Sequence, residues 1–162
     1  MNNRPFMNGL KPATGSKNLR KGRVSIAGQY YMITTSAYNK YRLFNLPGAA
    51  EVVLNSLYWL DNQRRIDLQA AVVMPDHLHF VARLMSGNLS GVMHSLKSFT
   101  SKKIKSDLNL ENAVWQSQYY DHAIRGDDEL RRTITYCLNN PVRANMVDDF
   151  HNYPYWYCKF AV

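Results

Sequence analysis

Three observations predict an α+β fold: a ferredoxin-like βαββαβ antiparallel sheet with helices on one face and an added C-terminal helix. Over 162 residues the apolar pattern switches repeatedly between strand-like runs and helical spacing. The switches come in the order strand, helix, strand, strand, helix, strand, helix. Turn residues mark the changes, at Pro47-Gly48, Pro75-Asp76, Gly87-Asn88 and Gly126. The length suits one domain.

Gln29 to Ser36 is rich in Tyr, Ile and Thr and reads as the first strand. Pro47-Gly48 opens a helix to about Asn62, with Val52, Val53, Leu57 and Leu60 at helical spacing. Ile66 to Met74 reads as a second strand, its Ala70-Ala71-Val72-Val73 run suggesting burial on both faces. After Pro75-Asp76, His77 to Leu84 completes a hairpin. Leu89 to Leu108 follows as a helix with Val92, Leu96, Phe99 and Ile104 inward and its lysines mostly outward. Val114 to Ile124 contains the fourth extended segment. Asp127-Asp128-Glu129 then places acid in the first turn of a third helix, where the helix dipole favours it. Pro141 ends that helix near Asn140. Residues 148–162 read as a short aromatic tail, and residues 1–27 as a basic, flexible leader before a body of residues 28–147.

Composition narrows the function. Lys plus Arg number 20 and Asp plus Glu 12, a net charge of +8. Residues 1–50 hold eight of the bases and no acid, whereas the remainder is neutral. Such an arm suits a polyanion, most simply nucleic acid, and Arg20, Lys21 and Arg23 are its best-placed cations. A solubilising leader is the bland alternative, favoured for residues 1–17. No apolar run approaches the ~18 residues of a membrane span, and no signal peptide is expected at the start. Cys137 and Cys158 form no CxxC pair, so a reducing cytosol is expected.

Two features carry chemistry. In Pro75-Asp76-His77-Leu78-His79, strand alternation points His77 and His79 to one side. Two imidazoles on one strand suit a divalent metal, and packed surface histidines are an equally weighted alternative. In the third helix, Tyr136 and Asn140 lie one turn apart on one face. An amide oxygen can be a third ligand to such a metal, with the phenol beside it. Tyr136 taken alone would be packing.

Together with VMPDHLHF (residues 73–80), LKSFT (96–100), WQ (115–116), YDHAIR (120–125) and YCLNNPVRA (136–144), this combination resembles the single-tyrosine HUH transposases, and among them the REP-associated tyrosine transposases. The resemblance spans roughly residues 28–147, with its motifs in order. It implies His77 and His79 as metal ligands and Tyr136 as nucleophile. Asn140 falls at the third-ligand position, where some relatives hold a longer Gln, so coordination through water is an alternative there. The implied cofactor is Mg²⁺ or Mn²⁺. The implied partner is single-stranded DNA beside a palindromic hairpin, cut through a 5′-phosphotyrosine. Lys97 and Arg125 would grip phosphate, with Thr100 and His122 as further DNA-contacting candidates, and Tyr119 and Tyr120 could stack on bases. A cytoplasmic, nucleoid-associated bacterial protein without membrane contact is expected, as a monomer, with a homodimer as the alternative. The rival readings are a hairpin-binding module that no longer cuts and a small metal hydrolase with an unrelated substrate.

Overall fold

A strand offers its side chains alternately to two faces, and this sequence uses the alternation to build two apolar layers. The computed structural model describes residues 24–162. Strand β1 (Tyr30–Ser36) leads through two 3₁₀ turns to helix α1 (Ala49–Asn62), then to the hairpin of β2 (Ile66–Met74) and β3 (His77–Leu84). Helix α2 (Leu89–Leu108), strand β4 (Tyr120–Ile124), helix α3 (Asp127–Leu138), the single turn α4 (Asn140–Arg143) and strand β5 (Trp156–Cys158) follow. The sheet order is β4-β1-β3-β2-β5, antiparallel throughout. The first four strands thus have the predicted split βαβ arrangement.

One layer lies under α1 and α2, where Ile33, Leu78, Phe80, Leu57 and Leu96 are fully buried. The other lies under α3, where Val72 and Val81 meet Ile134, Cys137 and Leu138. The added helix therefore covers the face opposite the first two. β2 is the shared wall, which explains why its apolar run shows no alternation. A register shift between Leu68 and Ala70 resets the phase, so that Leu68 and Ala71, three residues apart, face the same layer.

Three expectations are corrected. Phe99 is 57% exposed. The buried line of α2 runs Leu89, Val92, Met93, Leu96, Thr100, Ile104, drifting around the helix because 3.6 residues per turn do not repeat evenly. Phe99 is left at its trailing edge. The third helix stops at Leu138 and resumes for one turn, since proline is tolerated in a first turn. The aromatic tail includes a strand: Trp156, Tyr157 and Cys158 pair with Val72, Ala71 and Ala70. Tyr153 fixes it by donating its hydroxyl hydrogen to the Val73 carbonyl at 2.7 Å.

Residues 24–27, read above as the end of the leader, are tied to the body. The Ile26 N–H donates to Tyr31 Oη at 2.9 Å, and the Leu89 N–H to Ser25 Oγ at 3.0 Å. Arg20, Lys21 and Arg23 lie outside the described residues. No helix of the described chain is long and apolar enough to cross a membrane.

Candidate active site

The hairpin tip carrying the histidine pair is held from two sides. The Phe44 N–H donates to the Pro75 carbonyl at 3.0 Å and the Ala37 N–H to the Asp76 carbonyl at 2.8 Å. From this braced turn His77 and His79 project on the α3 face, with ring centroids 4.6 Å apart and planes at 83°. His77 Nδ1 lies 2.6 Å from Asp76 Oδ1. A carboxylate only accepts, so the proton sits on Nδ1 and the Nε2 lone pair is left for a ligand. His79 Nδ1 meets Thr34 Oγ1 at 2.7 Å, across the β1–β3 register that pairs these residues.

Burial pushes the His79 pKa down to about 3, with the neighbouring His77 ring and the positive charges of Lys40 and Arg143 adding to the effect and Asp76 opposing it. His79 is therefore neutral at ordinary pH, the form in which imidazole binds a metal. Among the described residues no group of three or more His, Cys, Asp or Glu is placed to hold an ion. The imidazole pair needs further donors from an amide, water or substrate.

Helix α3 brings the phenol to the histidines. Ile134, Cys137 and Leu138 anchor it in the layer beneath, and the Cys137 thiol reaches the His79 carbonyl at 3.7 Å. Burial raises the Cys137 pKa, leaving the thiol protonated and structural. Tyr136, next to this anchor, places its ring 6.4 Å from the His79 ring at 74°. The Arg143 guanidinium carbon sits 4.5 Å from the Tyr136 ring centroid on a face of that ring.

Asn140 sits at the break between α3 and α4. Its side-chain nitrogen donates to the carbonyls of Tyr136 and Cys137, at 3.0 and 3.1 Å. Pro141, lacking an N–H, could not have satisfied Cys137. These bonds fix which end of the amide faces the helix, so the oxygen is the atom left to meet a metal or water.

The DNA-contact candidates are scattered. Thr100 is corrected: it is fully buried, accepts the Trp115 indole N–H at 2.8 Å and donates to the Leu96 carbonyl at 2.7 Å. It joins α2 to the following loop and cannot touch DNA. Lys97 lies on the α1/α2 side and binds the Gln116 and Gln118 carbonyls at 2.8 and 2.9 Å. His122, on β4, meets Glu129 at 2.7 Å, while the Arg125 backbone N–H meets the same carboxylate at 2.6 Å. His122, Arg125, Tyr119 and Tyr120 line a groove of about 1120 Å³ at the β4 edge, and none of His77, His79 or Tyr136 lines it. Tyr120 nevertheless shares a cross-strand row with Thr34 and His79, so groove and histidines lie on adjoining surface. Asp76, Thr34, Lys40 and Arg143 were not assigned roles from sequence. Asp76 had a signal, being a carboxylate adjoining the histidine pair.

A family described as transposase IS200-like matches residues 25–140. The chain is 25% identical over 135 residues to the REP-associated tyrosine transposase of Escherichia coli strain K12, covering 82% of this chain and 78% of the relative. A solved structure described as the REP-associated tyrosine transposase bound to a REP hairpin aligns with a TM-score of 0.67 at 23% identity. That alignment covers 83% of this chain and 79% of the other, and shows a common fold.

Proposed function

The chain belongs to the IS200-like transposase family, and from that premise we propose that it cuts and rejoins single-stranded DNA beside a palindromic hairpin through Tyr136. The observation that carries this reading is the meeting of three side chains from two elements far apart in sequence: His77 and His79 of β3 with ring centroids 4.6 Å apart, and Tyr136 of α3 at 6.4 Å from His79. The hairpin named for the aligned solved structure supports the choice of DNA.

The residues fit a divalent cation, Mg²⁺ or Mn²⁺. His77 and His79 each have Nδ1 engaged, by Asp76 and Thr34, which leaves Nε2 as donor. The Asn140 amide oxygen is the third candidate ligand. Bound there, the ion would polarise the scissile phosphate and offset charge developing on it.

The chain's own residues supply the rest. Tyr136 Oη forms a bond to phosphorus as the P–O3′ bond breaks. The phenolic proton passes to solvent, and the departing 3′ oxygen takes up a proton to become a 3′-OH. An unperturbed phenol titrates near ~10, so attack needs this proton to leave as the bond forms. The 5′-phosphotyrosine conserves the phosphodiester bond energy, so a 3′-OH can reverse the step and join strands.

The test uses 5′- and 3′-labelled hairpin oligonucleotides from the repeats flanking the gene, with wild type and Tyr136→Phe, in Mn²⁺ or EDTA, on denaturing gels. A metal-dependent protein–DNA band carrying the downstream strand in wild type alone is the expected result. Hairpin binding without any adduct would assign the chain to a binding module. Turnover without a covalent species would assign it to hydrolysis.

A further inference from the structure

Arg143 stands seven residues beyond Tyr136, two turns away had the helix run on unbroken. The break at Asn139, with Asn140 bonded back to the Tyr136 and Cys137 carbonyls, folds the next turn toward the phenol instead. The Arg143 N–H donates to the Asn139 carbonyl at 2.9 Å, setting the start of its side chain. The guanidinium then lies over the Tyr136 ring with its carbon 4.5 Å from the centroid. Its charge is also felt at His79.

Among the described residues Arg143 is paired with no carboxylate, and its side chain makes no hydrogen bond. An arginine serving structure alone would ordinarily use its fork of N–H donors on a carboxylate or on carbonyls. Here the fork is unspent at a place where a dianionic transition state would form. Arg143 is exposed and the Tyr136 ring half-buried, so the cation is open to solvent and can be exchanged for a phosphate, which it can bind through two parallel hydrogen bonds.

We propose that Arg143 is a catalytic residue that binds the non-bridging oxygens of the scissile phosphate beside Tyr136 and rests on the phenol ring until DNA arrives. The inference rests on the phosphotyrosine reading above. As Tyr136 Oη bonds to phosphorus and the P–O3′ bond breaks, the N–H donors hold the charge on the equatorial oxygens. No co-reactant beyond the DNA is needed.

The experiment measures single-turnover adduct formation on the labelled hairpin oligonucleotide with wild type, Arg143→Ala and Arg143→Lys, alongside hairpin affinity by fluorescence anisotropy. Arg143→Ala is expected to slow adduct formation roughly 10²-fold, the scale of losing a preorganised transition-state donor, while hairpin affinity changes far less. Arg143→Lys should recover part of the rate. Added guanidinium ion should recover part of it in Arg143→Ala but none in Tyr136→Phe. Wild-type rate in Arg143→Ala overturns the inference. So does a slow Arg143→Ala protein that guanidinium leaves slow, because the arginine would then act only through helix geometry. If wild type forms no adduct, the underlying reading falls and takes the inference with it, an outcome distinct from the other two.

Discussion

Toward α1 and α2 the central strands present Ile33, Leu78 and Phe80, all fully buried; toward α3 the same strands present Thr34, His77 and His79. The two sets alternate residue by residue along β1 and β3. One face is closed by two helices of 14 and 20 residues, and the other is covered in part by a helix of 12. Rigidity and chemistry are thereby obtained from the same backbone: filling one side fixes the strand, and the strand fixes the imidazoles on the other. A site built on strand positions is held more closely than one on loops.

The comparison can be broken most severely at Tyr136. Tyr136→Phe is expected to remove the protein–DNA adduct below detection on a denaturing gel while thermal unfolding is unchanged. His79→Ala should remove Mn²⁺ binding measured by calorimetry and metal-dependent cleavage with it, and persistent Mn²⁺ binding would detach the metal from this face. On the closed side, Phe80→Ala should lower stability by ~3–5 kcal/mol in denaturant unfolding, with the folded fraction still cutting DNA.

Two smaller effects sharpen the contrast. Thr100→Val strips the Trp115 indole of its buried acceptor and should cost ~1–3 kcal/mol, while hairpin affinity stays at the wild-type value. His79, with its pKa near 3, should show no imidazole titration by NMR between pH 7 and 5. Asp149 raises the pKa of His151, so His151 should titrate above the usual histidine range in the same spectra. The linked sign is definite: below about pH 6.5 the unfolded chain takes up a proton at residue 79 that the native state refuses. This contribution to stability is complete above that pH and is lost as pH falls toward 3.

Much of this frame was legible from residues alone. β2, β3 and α2 begin and end where apolar spacing and turn residues place them, because long periodic segments with clear stops leave few alternatives. β5 was not legible, since three residues cannot establish a period and its pairing depends on an edge formed some 80 residues earlier. Thr100 reads as a surface polar residue, and only the indole N–H makes its burial sensible. The meeting of Tyr136 with the histidines came from the resemblance, since no local pattern reports contacts between residues almost 60 apart. Arg143 was hidden because a straight helix would carry it away from the phenol; the turn at Asn139 reverses that geometry.

The strand β5 has a consequence for how these molecules behave in a crowd. Without it, Ala70-Ala71-Val72-Val73 would present a bare row of backbone donors and acceptors flanked by apolar side chains, a template for joining one molecule to the next. Trp156–Cys158 occupies that row, with the Tyr153 hydroxyl as its fastener. The opposite edge, β4, is five residues long and includes Asp121 and His122, a short and charged border ill suited to growth. The last ten residues therefore act as a cap against self-assembly, and their removal should convert a dispersed protein into one that aggregates through its second strand.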